Sequence, residues 1–242
     1  MDADGIPSSK IVVEGANLFI TESARKSLSD LGAIIVKDSS ANKCGVICSS
    51  LEIIAGMTLT DKEFLEIKPK YVVELLELLR SLARTEANSL FMEKSRQPSQ
   101  SLPEISVQIS RQIIRVADVI NNSVSEWSDV EHECANQFIS DFCPDSLIEK
   151  AGPEFLTKIP EVYRCQLIAA ILSSRIVYRE GCRNVCDMTD GALAKLVREQ
   201  LIHEQQIREL VESVKNSDLP DRSSIISILD HAGAKAKREL KL

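Results

Sequence analysis

Asp38-Ser39-Ser40-Ala41-Asn42-Lys43-Cys44-Gly45-Val46-Ile47-Cys48-Ser49-Ser50-Leu51-Glu52 is the stretch on which the reading of this chain turns. Nowhere else do small, polar and glycine residues gather directly ahead of a long run of helical sequence. Small side chains let a ligand approach the backbone. A helix beginning just after them presents unpaired N–H groups and a positive dipole end, which suits a carboxylate or a phosphate. The same residue types are also ordinary turn formers and helix caps, so composition alone leaves Ser39, Ser40 and Asn42 open to both readings.

Upstream, Ile11-Val12-Val13-Glu14-Gly15-Ala16-Asn17 reads as a buried strand delivering a small-residue turn. Thr21 is placed to cap a helix over Glu22–Leu31 that Gly32 ends, and Ala33–Val36 is a second strand. That strand is apolar throughout, as one covered on both faces would be. Strand, helix, strand makes a βαβ unit, which predicts a right-handed parallel pair. Two strands do not form a stable parallel sheet alone, so the unit reads as the edge of a larger doubly wound sheet.

Downstream the pattern is helical: Gly45 to about Ala55, then a short helix opened by the capping box Thr60–Glu63. Pro69 starts a long helix to about Glu93, and Ser101-Leu102-Pro103-Glu104 opens another toward Asn121. Helices follow over Glu161–Tyr178, Gly191–Lys215 and Ser223–Arg238, the last with a basic end suited to its dipole. The amphipathic 191–215 segment fits an intramolecular bundle or a partner subunit. The expected fold is mainly α with a small α/β part. A remnant of a doubly wound, Rossmann-like parallel sheet over residues 1–67 precedes a helical region over residues 68–242.

At 242 residues with 44% hydrophobic and 27% charged content, the chain belongs among globular proteins. Its net charge of −7 comes without a lysine or arginine cluster, which argues against nucleic acid or an anionic membrane as partner. No apolar run reaches the roughly 18 residues of a membrane span. The acidic start, Met1 to Pro7, has the form of neither a secretory signal nor an arginine-rich transit peptide. A cytoplasmic protein is expected, with the mitochondrion the other compartment left open. The 7 cysteines are odd in number and lack zinc-ribbon spacing, so reduced thiols and no metal are expected.

Taken together, Val13–Asn17 (VEGAN) and Lys37–Glu52 (KDSSANKCGVICSSLE) resemble the C-terminal part of the nucleotide-binding domain of glutamate dehydrogenases, most closely the large NAD-specific branch. The matching residues are Glu14, Gly15, Ala16, Asn17, Asp38, Ala41, Asn42, Gly45, Val46, Ser49 and Glu52. Arg175–Tyr178, with nearby helical segments, is similar to that branch's helical C-terminal extension. The resemblance implies oxidative deamination of L-glutamate to 2-oxoglutarate and ammonia with hydride transfer to NAD, by a homo-oligomer. It implies further that Asn17 and Asn42 contact the nicotinamide ribose or carboxamide, and that Gly45 belongs to the turn over which the cofactor lies. Ser49 would bind the side-chain carboxylate of glutamate, and Val46 would line the pocket for its methylenes.

The sequence departs from the family pattern in two ways. Cys44-Gly45 stands where paired glycines are usual, and the extra side chain would crowd that turn. Nor does any Gly-x-Gly-x-x-Gly follow a strand, and no segment resembles the family's catalytic-lysine region, so no catalytic residue is assigned. The expectation is the C-terminal portion of a longer enzyme, inactive alone. The competing reading is a non-catalytic helical scaffold or regulatory module that binds full-length subunits.

Overall fold

The computed structural model describes residues 6–232. β1 (Ile11–Val13) and β2 (Ile34–Val36) pair in parallel, with Ile11 opposite Ile34, Val12 opposite Ile35 and Val13 opposite Val36. The crossover is α1 (Glu22–Asp30), whose first turn is capped by Thr21: its hydroxyl accepts from the Ala24 N–H at 3.3 Å. Gly32 follows at φ +88°, a left-handed conformation that releases the chain from the helix at little steric cost. Strand, helix and strand thus stand where the hydrophobic pattern puts them. The sheet is covered on one face and not on both. Ile35 turns into the core toward α5, while Ile11, Val13 and Ile34 are exposed. Side chains alternate along a strand, so an apolar run alone does not distinguish one covered face from two.

After β2 come α2 (Asp38–Ala41) and α3 (Lys43–Thr58), then α4 (Asp61–Arg96). α3 is longer than its sequence pattern suggests, and Leu51, Ile54, Ala55 and Thr58 form its buried face. α4 corrects a second expectation: the capping box at Thr60–Glu63 is present, but no new helix begins at Pro69. One helix of 36 residues runs through it, and the division drawn between residues 67 and 68 falls inside that helix. An internal proline forfeits one hydrogen bond and costs about 3 kcal/mol. Here Pro69 lies on the exposed face, and Phe64 and Tyr71 on either side of it meet edge to face with centroids 5.2 Å apart. Tyr71 is itself fully buried, and Leu75 and Leu78 carry the same buried stripe onward. Packing across the break therefore outweighs the lost bond.

The remaining elements are α5 (Leu102–Ser123), a 3₁₀ turn (Val124–Glu126), α6 (Asp129–Phe142), α7 (Asp145–Ala151), α8 (Glu161–Glu180), α9 (Cys182–Asp187), α10 (Asp190–Lys215) and α11 (Arg222–Ala232). Capping boxes open α5 (Ser101 with Glu104) and α6 (Ser128 with Glu131). α5 and α8 form the centre of the core, through Ile105, Ile109, Val116, Ile168, Leu172 and Ile176. α10 lies against α5, α6 and α11, which assigns its apolar stripe to the interior of this chain. The basic end expected for the last helix, beyond Ala232, lies outside the described residues. Among the described residues no helix is long and apolar enough to cross a membrane.

Replacing Pro69 with alanine restores an N–H to the α4 ladder. We expect it to raise unfolding free energy by roughly 1–3 kcal/mol, read as a higher urea midpoint at unchanged m value.

Candidate functional site

Both strands end at the same level, and the two chain segments leaving them are tied together by buried charge. Glu14 follows β1, and its carboxylate receives Arg25 of α1 in a two-pronged pair, Nε to Oε1 at 2.7 Å and Nη2 to Oε2 at 2.9 Å. Glu14 Oε2 also accepts the backbone N–H of Asp38 at 3.2 Å. Asp38, which opens α2, returns the contact: its Oδ2 accepts the Leu18 N–H at 2.8 Å and lies 3.7 Å from Arg25 Nη2. Its Oδ1 takes Lys37 Nζ at 2.5 Å and the Ser39 N–H at 2.8 Å. Glu14, Arg25 and Asp38 are all buried. The Lys37 ammonium, followed by the Leu18 N–H, holds the Asp38 carboxyl down to about 2. Leu18 reaches its bond with φ at +56°, and it leaves its own side chain and that of Phe19 more than four-fifths exposed.

On this frame the structure brings Asn17 and Asn42 together. Asn42 Nδ2 donates to Asn17 Oδ1 at 3.0 Å, on the exposed side of the two turns. Asn42 is the N-cap residue of α3, yet its side chain makes no capping bond. Asn42 does form the turn between α2 and α3, its carbonyl accepting the Gly45 N–H at 3.0 Å, but it does not cap with its side chain, because the amide is turned toward Asn17. Ser39 and Ser40 do not cap either. Both hydroxyls reach Ser106 of α5, at 3.0 and 2.7 Å, and Ser40 donates to Glu86 Oε1 of α4 at 2.8 Å. Gly45 has a steric reason to be glycine: a Cβ there would stand 3.0 Å from Asn42 Oδ1 and push the amide aside.

Gly45, Val46 and Ser49 lie at helical spacings i, i+1 and i+4 on α3 and are all exposed. They continue the line begun by Asn42, and Ile53 and Met57 extend it with further exposed apolar surface. Ser49 donates to the Gly45 carbonyl at 3.2 Å, so its hydroxyl is satisfied by its own helix and must rotate to serve a carboxylate. The five residues singled out from the sequence thus share one open face; none is sealed in the core.

Flanking this face, Lys43 pairs with Glu86 at 3.0 Å, and the Tyr178 hydroxyl of α8 joins both. Glu86, Ser106 and Tyr178 fasten the Asn42 turn to α4, α5 and α8; sequence reading passed over Glu86 and Ser106 and gave Tyr178 no role beyond its place in the Arg175–Tyr178 segment. Arg25 was missed too, although a glutamate closing an apolar strand requires a buried cation. Burial, reinforced by Glu86, pushes the Cys44 thiol up, and burial with Glu52 does the same to Cys48, so neither is an activated thiolate. Among the described residues no group of histidines, cysteines and carboxylates could hold a metal ion.

Residues 2–95 match the Glutamate/Leucine/Phenylalanine/Valine dehydrogenase family, from the N-terminal lead-in almost to the end of α4. Among curated proteins the chain is similar to Glutamate dehydrogenase 2 of Dictyostelium discoideum, 35% identical over 71% of this chain and 17% of that protein. It is likewise 35% identical to the NAD-specific glutamate dehydrogenase of Saccharomyces cerevisiae over 70% of this chain and 17% of that one. The probable NAD-specific glutamate dehydrogenase of Schizosaccharomyces pombe is 34% identical over 74% and 17%. The chain is a homologue of the NAD-specific glutamate dehydrogenases, and it spans about a sixth of the length of these relatives. No solved structure matches it.

Two outcomes test the frame. Arg25→Met leaves Glu14 and Asp38 buried without their guanidinium and should cost about 3–5 kcal/mol in urea unfolding, while Arg25→Lys, which keeps charge but not the fork, should cost less. Asp38 titrates lower folded than unfolded, so its contribution is complete above about pH 4 and is lost as pH falls toward 2. Glu131, held to about 2 by Arg198, acts in the same direction. For Asp38 the loss should be on the order of 2 kcal/mol, measured as the difference in acid dependence between the native chain and Asp38→Asn.

Proposed function

We propose that this chain supplies one wall of the active-site cleft of an NAD-dependent glutamate dehydrogenase, the distal edge of its dinucleotide-binding domain followed by a helical region. The carrying observation is the exposed Asn17–Asn42 amide pair beside the Gly45–Val46–Ser49 face of α3. The residues fit the nicotinamide end of NAD. Amides both donate and accept, as a ribose hydroxyl or carboxamide requires. Gly45 leaves open the space that a Cβ would close against Asn42.

In this reading Asn17 and Asn42 hold the nicotinamide ribose or carboxamide. Val46 packs on the glutamate methylenes, and Ser49 turns its hydroxyl from the Gly45 carbonyl to the substrate's side-chain carboxylate. Bound NAD supplies the hydride acceptor. The Glu14–Arg25–Asp38 cluster keeps the two amides in register and touches no reactant. Hydride transfer requires both reactants held against each other. The pyrophosphate cradle and the acid–base groups would come from other parts of a larger protein, assembled as a homo-oligomer. The seven unbridged cysteines of this chain support a reducing compartment such as the cytoplasm.

Two measurements test the reading. The 242-residue chain alone should show no NAD-dependent glutamate oxidation. In the whole protein, Ser49→Ala should raise the glutamate KM by roughly 10- to 100-fold, the worth of one hydrogen bond to a charged group, and leave the KM for NAD nearly unchanged. Asn42→Ala should do the reverse; equal effects on both constants would remove the assigned roles.

A further inference from the structure

The apolar hollow beside the proposed cleft shares one residue with it, Val46, and is otherwise unused in that reading. It lies between α3, α4, the end of α6 and α8, with a cavity volume of about 250 Å³. Its walls are mainly Ile47, Leu82, Ala83, Phe142, Ala170 and Ile171. An apolar cavity of about 150 Å³ admits benzene, and sites for drug-sized ligands begin near 300 Å³. The space therefore suits one or two fused rings and is too small for a helix or a peptide segment.

Each charged group along the wall already has a contact. Lys43 and Glu86 pair with each other, Asp141 accepts from Gln137 at 3.1 Å, and Arg175 stacks on Phe138 at 4.7 Å. An ionic ligand would have to compete with these contacts for a counterion. Three wall hydroxyls, Ser50, Thr85 and Ser174, donate to carbonyls of their own helices, at 3.0, 3.1 and 3.0 Å. Their oxygens remain able to accept.

We infer that this hollow is a binding site for a small uncharged ring compound carrying one hydrogen-bond donor, adjoining the cofactor and substrate face at Val46. The site has a route to the rest of the molecule. Lys43, Val46 and Ser50 of its wall belong to α3, the helix that begins at Asn42, and Val46 stands on the shoulder between hollow and cleft face. An occupant presses on the helix that carries Gly45 and Ser49. Binding itself stands apart from the dehydrogenase reading, and only its consequence for that face rests on it.

The test is titration of the isotope-labelled 242-residue chain with indole, followed by amide NMR shifts. Saturable shifts should centre on Ile47, Ala83, Ala170 and Ile171, and the amides of Asn42 and Gly45 should move with the same midpoint. Benzoate, of similar size but anionic, should bind at least tenfold more weakly. Ala170→Trp fills the space and should abolish the saturable shifts; Ala83→Met, a milder filling, should weaken them, with near-UV circular dichroism reporting the fold of each. Shifts that stay linear or spread over exposed apolar faces would overturn the site. So would binding retained in a folded filled variant, or benzoate binding as tightly as indole. None of these outcomes depends on NAD, so a failed dehydrogenase reading leaves the result interpretable.

Discussion

The geometry of the exposed face depends on one buried guanidinium. Arg25 is the only buried residue of α1, and it engages Glu14 from the end of β1 and lies within reach of Asp38 from the end of β2. Removing a single partner would leave one or two carboxylates in a low-dielectric interior, so the three charges stand or fall together. The backbone joins in, since Glu14 takes the Asp38 N–H and Asp38 takes the Leu18 N–H. Two turns of small residues, individually free to wander, are thereby held at one spacing. The Asn17–Asn42 contact is a result of that spacing.

A second polar cluster does the same at a larger scale. Ser39, Ser40 and Lys43 surround the Asn42 turn, and they bond to Ser106 of α5, Glu86 of α4 and Tyr178 of α8. These partners lie between 43 and 135 positions away in sequence. The helical region is thus more than a weight hung behind the strands: three of its helices hold the start of α3.

Much of the local structure was legible because it rests on local chemistry. Thr21, Thr60 and Ser101 cap where their side chains can reach, and Gly32 takes the left-handed turn its position asks for. The partners of Glu14 and Ser40 were not legible, because a buried carboxylate announces the need for a cation or hydroxyl but not its place in the sequence. Pro69 misled for a related reason. Proline signals a helix start through its own backbone, and the ring contact of Phe64 with Tyr71 that carries the helix through it is a property of packing. In the site, Asn17 and Asn42 bond each other, and the hydroxyl of Ser49 rests on its own helix, neither of which the sequence pattern announces.

α4 carries one further implication. At 1.5 Å per residue its 36 residues make a rod about 54 Å long. One end begins two residues after α3 finishes, and the other holds Glu93, which accepts the Cys182 N–H at the start of α9. Seven residues before Glu93 the same helix presents Glu86 to Ser40 and Lys43, so one continuous element joins the start of α9 to the turn that bears Asn42.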